Sequence, residues 1–327
     1  MRYLKRTNIN DLIGKYEKII AWGTGPIFKM NYKKNYFPIN YLIDGTGKEA
    51  GKQYNGIEIK DENILSLENN KILIIIYTIY EKEVLEQIKK YDKGNIDIII
   101  YSLVDIILDN NVRVPEINGK NCEDLLLICL IGQLHLEEVY YLEVGVCHPI
   151  MRNNTYLLYE QFSSQSKKSK GVLVEANPIC WPLIEEYRPA DKLVKAGIAT
   201  SNESALNFYM FPHLLGHSTF SKKIADEKKA AGYEYEVLKI PVKSINDVIS
   251  ENFDRSPDVL ALDAEGMDFE ILQCWDYKNF QFKIIVSEAM GEFDKSIDQV
   301  LQARGYKKYA QTVENIIWIN NNYKLFV

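Results

Sequence analysis

The apolar positions of the first hundred residues come in continuous runs rather than in alternation. "EKIIAW", "INYLID", "NGIEIK", "KILIIIYTIY" and "NIDIIIYSL" are short, β-branched and bounded by polar turns, and "EKEVLEQIKKY" between the last two has helical spacing. Strands buried on both faces by flanking helices read this way, so the pattern predicts a parallel sheet in a small α/β unit over residues 1–105. "NVRVPEINGKN" lacks periodicity and carries Pro, Gly and Asn, as a linker does; "CEDLLLICLIGQLHLEEV" then reads as a helix, so residues 106–137 form a connection. From residue 138 the strand candidates are "YYLEVGV", "GVLVEAN", "KLVKAGIA", "ALNFYMF", "VLKIPV", "DVLALDAEG" and "KIIVSEA", with helical stretches between the first few. The last segment, "YKKYAQTVENIIWI", has two apolar runs a few residues apart and predicts an antiparallel hairpin. The fold class is therefore α/β, two units in series.

A chain of 327 residues with 46% hydrophobic residues can bury two cores. Its longest apolar run, "LLLICLIG", is far short of a membrane span, and "MRYLKRTNINDLIGKY" has no apolar core of a signal peptide. The five cysteines are scattered without a C-x-x-C pair, against a disulfide framework or a zinc site, and a cytoplasmic location is expected. Net charge is −6, and the acidic excess lies after residue 110. An acidic domain repels phosphate backbones, which excludes nucleic acid as the expected partner.

"GTGPIF" after the first strand invites a dinucleotide reading, with Asp44 at the end of the second strand to meet a ribose. Phe28 stands where the third glycine of that fingerprint belongs, so NAD is the lesser expectation, and a bare turn or some other nucleotide-like ligand the greater. "YLIDGTGKEAGKQYNGIEI" resembles the small Rossmann-like domain in front of several sugar-modifying bacterial enzymes, which implies fold only.

In the second unit Gly145 ends the first strand, where a missing side chain lets backbone approach a ligand. Glu143 lies on the same strand end, and Glu175 closes the second strand about thirty residues later. A carboxylate there can accept both hydroxyls of a ribose. Glycine then acid is the Rossmann pattern adapted to an adenosine without phosphates. Asp263 ends "DVLALD"; Glu265 and Asp268 follow it closely. The pair Asp263 and Glu265 reads equally as a general base at Asp263, or as an anchor for the next helix with Asp263 near its N-cap. A divalent cation such as Mg²⁺ on Asp263, Glu265 and Asp268 is the third option. His148 and His217 stand in loops and are the other candidate bases, whereas His135 reads as a helix-end residue. Glu288 ends "KIIVSE" near the expected acceptor side.

"EVGVCHPIMRNNTYLLYE", "GVLVEANP", "GHSTFS", "IPVKSINDVI" and "DVLALDAEGMDFEIL" together resemble the FkbM-type methyltransferases over residues 138–320. The family more often has Asp at Glu143 and Ser-Asn-Thr at 153–155. The resemblance implies a class I methyltransferase fold, mostly parallel with a terminal antiparallel hairpin, over residues 138–327. It also implies S-adenosylmethionine held by Glu143, Gly145, Asn154, Thr155, Glu175 and Asn177, with Glu265 and Glu288 toward the acceptor. The implied reaction is methyl transfer to a hydroxyl of a sugar or glycoconjugate in bacterial surface-polysaccharide assembly. The first domain would then bind a partner, a carrier or a sugar nucleotide, and a homo-oligomer is compatible with the sequence. The competing expectations are a methyltransferase fold retained as an inactive binding or regulatory module, and an NAD-dependent oxidoreductase.

Overall fold

The computed structural model describes residues 1–32, 38–108, 112–114, 119, 122–166, 168–201, 203–288 and 293–324, and the chain divides into two compact units, Met1–Glu116 and Ile117–Val327. In the first unit a seven-stranded sheet has the order Arg2–Tyr3, Ile96–Ile100, Ile72–Ile76, Lys18–Trp22, Tyr41–Asp44, Ile57–Asp61, Gln53–Tyr54, parallel except for the last pair. Every residue of Ile72–Ile76 and Ile96–Ile100 is buried, which is why these strands read as unbroken apolar runs. The helix Glu81–Lys89 turns Val84, Leu85 and Ile88 inward. Part of the expected linker is strand, since Val112–Val114 pairs antiparallel with Val104–Leu108; most of its remainder lies outside the described residues.

The second unit begins with the helix Glu123–Gln133, and His135 follows its end at φ +50°. Seven strands then form a sheet in the order Lys192–Val194, Lys170–Val174, Tyr140–Val144, Val259–Leu262, Ile284–Glu288, Asn315–Asn320, Tyr306–Gln311. The first five are parallel, and the last two close the sheet as the antiparallel hairpin. Strand order reverses at Tyr140–Val144: the chain steps outward through Lys170–Val174 to Lys192–Val194, then crosses to Val259–Leu262 on the other side. "ALNFYMF" and "VLKIPV" do not join this sheet. As Ala205–Met210 and Glu236–Lys243 they pair antiparallel, with Gly197–Ile198 beside them, in a separate three-stranded sheet. Two cores lie on the two faces of the main sheet: Leu142 and Val144 point into one, Tyr141 into the other. Among the described residues no helix is long and apolar enough to cross a membrane.

The first strands of the two units end alike. Gly23 donates its N–H to Ile43 O (3.0 Å), and Tyr77 donates to Trp22 O (2.8 Å). Gly145 donates to Val174 O (3.0 Å), and Asp263 donates to Val144 O (3.0 Å). The same backbone crossing closes each reversal of strand order.

Candidate active site

A cleft of about 640 Å³, open mouth included, lies at the carboxyl ends of the strands where strand order reverses. Ligand sites of open α/β sheets fall there. Val144, Gly145, Cys147, Val174, Glu175 and Asn177 form one side, and Asp263, Ala264, Glu265 and Met267 another. The segment around the small sheet supplies the rest through Ile198, Phe208, Leu215, Thr219 and Phe220. Room for Phe220 exists because residue 197 is glycine: a Cβ there would sit 2.2 Å from the ring's Cζ.

Gly145 has φ +83°, and a Cβ added to it would sit 1.8 Å from the backbone oxygen of Asp263. Its glycine is therefore required by the neighbouring strand end. That corrects the expectation that an approaching ligand alone explains it, although Gly145 also lines the cleft.

Glu175 is buried, and its carboxylate accepts the backbone N–H of Cys147 (2.8 Å) and of Asn177 (2.6 Å). Burial pushes its pKa up, against those amides, which favour the charged form. A carboxylate offers about four acceptor positions, so two amides leave capacity for a ligand. Asn177 accepts the N–H of Ile179 through Oδ1 (3.1 Å), while its buried Nδ2 has no hydrogen-bond partner. Asp263 Oδ1, on another wall of the cleft, is buried and equally unpartnered. Orphaned buried polar atoms in a cleft are what a polar ligand would satisfy. Burial pushes the pKa of Asp263 well above the usual carboxylate range, and the charges of Glu288, Glu265 and Asp268 push in the same direction.

The acid cluster around Asp263 separates into distinct roles. Asp268 is buried at the start of the helix Asp268–Cys274 and accepts the Ala264 N–H (3.2 Å), with its pKa pushed up to about 6 by burial. Asp268, rather than the expected pair Asp263 and Glu265, holds the helix start. Glu265, at φ +45°, has its backbone oxygen held by Thr219 Oγ1 (2.8 Å), which ties the "GHSTFS" motif to the cleft wall. Among the described residues no group of three or more His, Cys, Asp or Glu could hold a metal ion.

Six expected site residues lie outside the cleft lining. Glu143 shares the sheet face of Tyr141, because strand neighbours alternate, and only Val144 turns toward the cleft. The Glu143 carboxylate instead meets Arg188 Nη1 (3.0 Å), Asn153 Nδ2 (3.0 Å) and Thr155 Oγ1 (2.6 Å) beneath the loop. Glu143 and Thr155 are thereby corrected from ligand contacts to framework. His148 is also buried, and its Nδ1 accepts the N–H groups of Ile150 (3.1 Å) and Met151 (3.0 Å), so it caps its own loop rather than facing the cleft. His217 is about half exposed and bonds Lys228 Nζ through Nδ1 (2.9 Å), beside but not within the lining. Asn154 is half-buried and also outside it, as is Glu288, whose charge nonetheless reaches Asp263.

Cys147, Thr219, Phe220 and Arg188 escaped the sequence reading. For Glu143 the signal was present in strand alternation; for Arg188 there was none, since apart from Asp191 its partners are 30–50 residues away in sequence.

At the corresponding strand end of the first unit an aromatic cluster follows the glycines. Phe28 is fully buried and packs its ring against Tyr77 (5.0 Å), Tyr54 (5.5 Å) and Tyr32 (4.9 Å). Asp44 is taken up by its own turn, accepting the N–H of Glu49 (2.7 Å) and Thr46 (3.1 Å) and the Thr46 hydroxyl (2.9 Å).

The family model described as the methyltransferase FkbM domain matches residues 143–308. Among solved structures, a methyltransferase FkbM from Methylobacillus flagellatus KT is similar at 10% identity, covering 95% of this chain and 92% of that one, with a TM-score of 0.33. A precorrin-6y C5,15-methyltransferase from Geobacter metallireducens GS-15 is similar at 12% identity, covering 59% of this chain and 85% of its own, with a TM-score of 0.32. No curated protein matches.

Proposed function

Because the chain belongs to the FkbM methyltransferase family, we propose that the cleft binds S-adenosylmethionine and that the reaction is O-methylation of a sugar or glycoconjugate hydroxyl. The observation that carries the cofactor reading is the pair of buried, unpartnered atoms, Asn177 Nδ2 and Asp263 Oδ1, in one cleft with the Glu175 carboxylate. Glu175 is held in place by two backbone amides and would receive the ribose hydroxyls through its remaining lone pairs. Asn177 Nδ2 is a donor without an acceptor and would find one on the ligand. The acids Asp263, Glu265 and Glu288 favour positive charge nearby, which suits a sulfonium ligand.

S-Adenosylmethionine, when bound, supplies a methyl group already activated for displacement. The protein then has to orient the acceptor oxygen and take its proton. Asp263 is the residue we assign to the proton, since a base of raised pKa matches a weakly acidic alcohol better than an ordinary carboxylate, and such bases contribute about 10²–10⁴-fold. Glu265 would line the acceptor side of the same wall. The sugar acceptor, and a place in surface-polysaccharide assembly, rest on the family resemblance.

Calorimetric titration with S-adenosylmethionine and S-adenosylhomocysteine, with NADH as control, tests the reading. Binding of the first two alone is expected, and nucleotide sugars and glycans would then be screened as acceptors. Absence of binding to both would move the inactive module to the front.

A further inference from the structure

Beneath the cleft loop lies a buried polar network centred on Arg188, whose side chain is wholly out of solvent at the end of the helix Trp181–Tyr187. Its guanidinium reaches Glu143 (3.0 Å) and Asp191 (2.7 Å), and donates to Asn153 Oδ1 (3.1 Å) and Thr155 Oγ1 (2.8 Å). The Tyr141 hydroxyl joins it through Asp191 (2.7 Å) and Ser163 (2.8 Å). Burial pushes the tyrosine pKa well up, so this hydroxyl stays neutral. Room for the cluster is cleared by Gly171, where a Cβ would sit 2.2 Å from Asp191 Oδ1 and 2.4 Å from Tyr141 Cζ.

Ion pairs taken out of water are poor sources of stability, because desolvation offsets most of the attraction, and apolar residues of the same volume often serve as well. What such a network does provide is a fixed geometry. Here the fixed part has a definite address: Asn153 and Thr155 close the loop that begins at Gly145 and carries the Cys147 amide to Glu175. From the network side the loop is held by Arg188 and Glu143; from within, by His148 under Ile150 and Met151.

We infer that Arg188, with Glu143 as its counter-ion, is a positioning residue that sets the 145–155 loop, and through the Cys147 amide the Glu175 carboxylate, for the ligand. It touches no reacting group. The inference rests on the cofactor reading of the cleft for its effect on binding, but not for its effect on the loop.

Two variants test it. Arg188→Met keeps the volume and removes every prong. Glu143→Gln keeps shape and removes one of two carboxylates, leaving the single charges of Arg188 and Asp191 to balance, so it is the variant expected to fold. Each is measured for S-adenosylhomocysteine affinity well below its melting temperature, and for hydrogen exchange of the 146–155 amides. Arg188→Met is expected to weaken binding about tenfold and Glu143→Gln about threefold, each with faster exchange confined to that loop. A lowered melting temperature with wild-type affinity and wild-type loop exchange would overturn the inference and leave the network purely structural. If the wild-type protein itself does not bind S-adenosylhomocysteine, the cofactor reading falls, and loop exchange alone still decides whether Arg188 sets the loop.

Discussion

The two units carry the same three positions at the same point of the fold, with opposite results. Gly23 and Gly145 end the first strands, Asp44 and Glu175 stand at the ends of the second, and Tyr77 and Asp263 follow the strands that cross over. Both glycines are demanded by backbone: a Cβ at Gly23 would lie 2.8 Å from Tyr77 O, and one at Gly145 would lie 1.8 Å from Asp263 O. A glycine after a strand therefore reports the crossing of chains, and says nothing by itself about a ligand. What differs is the surroundings. In the first unit the acid is satisfied by its own turn and Phe28 is buried in an aromatic cluster. In the second, the acid and its neighbour Asn177 keep unused hydrogen-bonding capacity in an open cleft.

The third pair gives the largest test. Asp263→Asn should lower kcat about 10²–10⁴-fold while changing S-adenosylhomocysteine affinity little, because it removes a proton acceptor and keeps the shape. The wild-type rate should rise with pH through a range above ordinary carboxylates, since the raised group must lose its proton to act as a base. Equal turnover in the variant would leave positioning of the acceptor as the source of rate.

Next come the glycines. Gly145→Ala is expected to cost on the order of 3 kcal/mol of stability or more, combining a left-handed backbone with a carbonyl that has nowhere to move. Gly23→Ala meets a longer contact and should cost less, and it should leave S-adenosylhomocysteine binding unchanged. Thermal unfolding and calorimetry of both variants would show this. A loss of binding in Gly23→Ala would mean that the first unit contributes to the site.

The acids give a smaller and cleaner contrast. Glu175→Ala should weaken S-adenosylhomocysteine at least about tenfold, because it removes ligand hydrogen bonds and strands the amides of Cys147 and Asn177. Asp44→Ala should cost about 1–2 kcal/mol of stability through its lost turn contacts and leave affinity as it was.

These pairs also mark what the sequence could tell. Continuous isoleucine runs, the turn glycines and the terminal hairpin follow from local chemistry, so the two α/β units and the place of the cleft were legible. Glu175, Asn177 and Asp263 were legible because they follow strands that end at that cleft. Glu143 was misread because its carboxylate was assigned to the strand end, although alternation with Tyr141 turns it to the opposite face. Arg188, Asp191 and Phe220 were invisible, since apart from the Arg188–Asp191 pair their partners are brought together only by the tertiary fold. The separate sheet of Ala205–Met210 and Glu236–Lys243 was illegible for a related reason: apolar runs specify strands, not which sheet receives them.

The smallest effect contrasts the units through pH. Asp268, pushed up to about 6 by burial, binds its proton more tightly when folded than at an unfolded value of roughly 4. Its contribution to stability is therefore complete below about pH 4 and is lost as pH rises through about 6. Asp44 has the opposite sign. Burial alone would raise it, but the amides of Glu49 and Thr46 outweigh burial and hold it below the usual value. Its contribution is present above roughly pH 4 and is lost as pH falls through its lowered folded value. Denaturant unfolding at pH 4 and pH 7 should therefore show Asp268→Asn gaining on the wild type at the higher pH. Asp44→Ala should stay a constant distance below the wild type over that interval and close on it only as pH falls below about 4. If Asp268→Asn showed no change with pH, the carboxylate would be ionised at little cost, and the helix start would be more open to water than its burial implies.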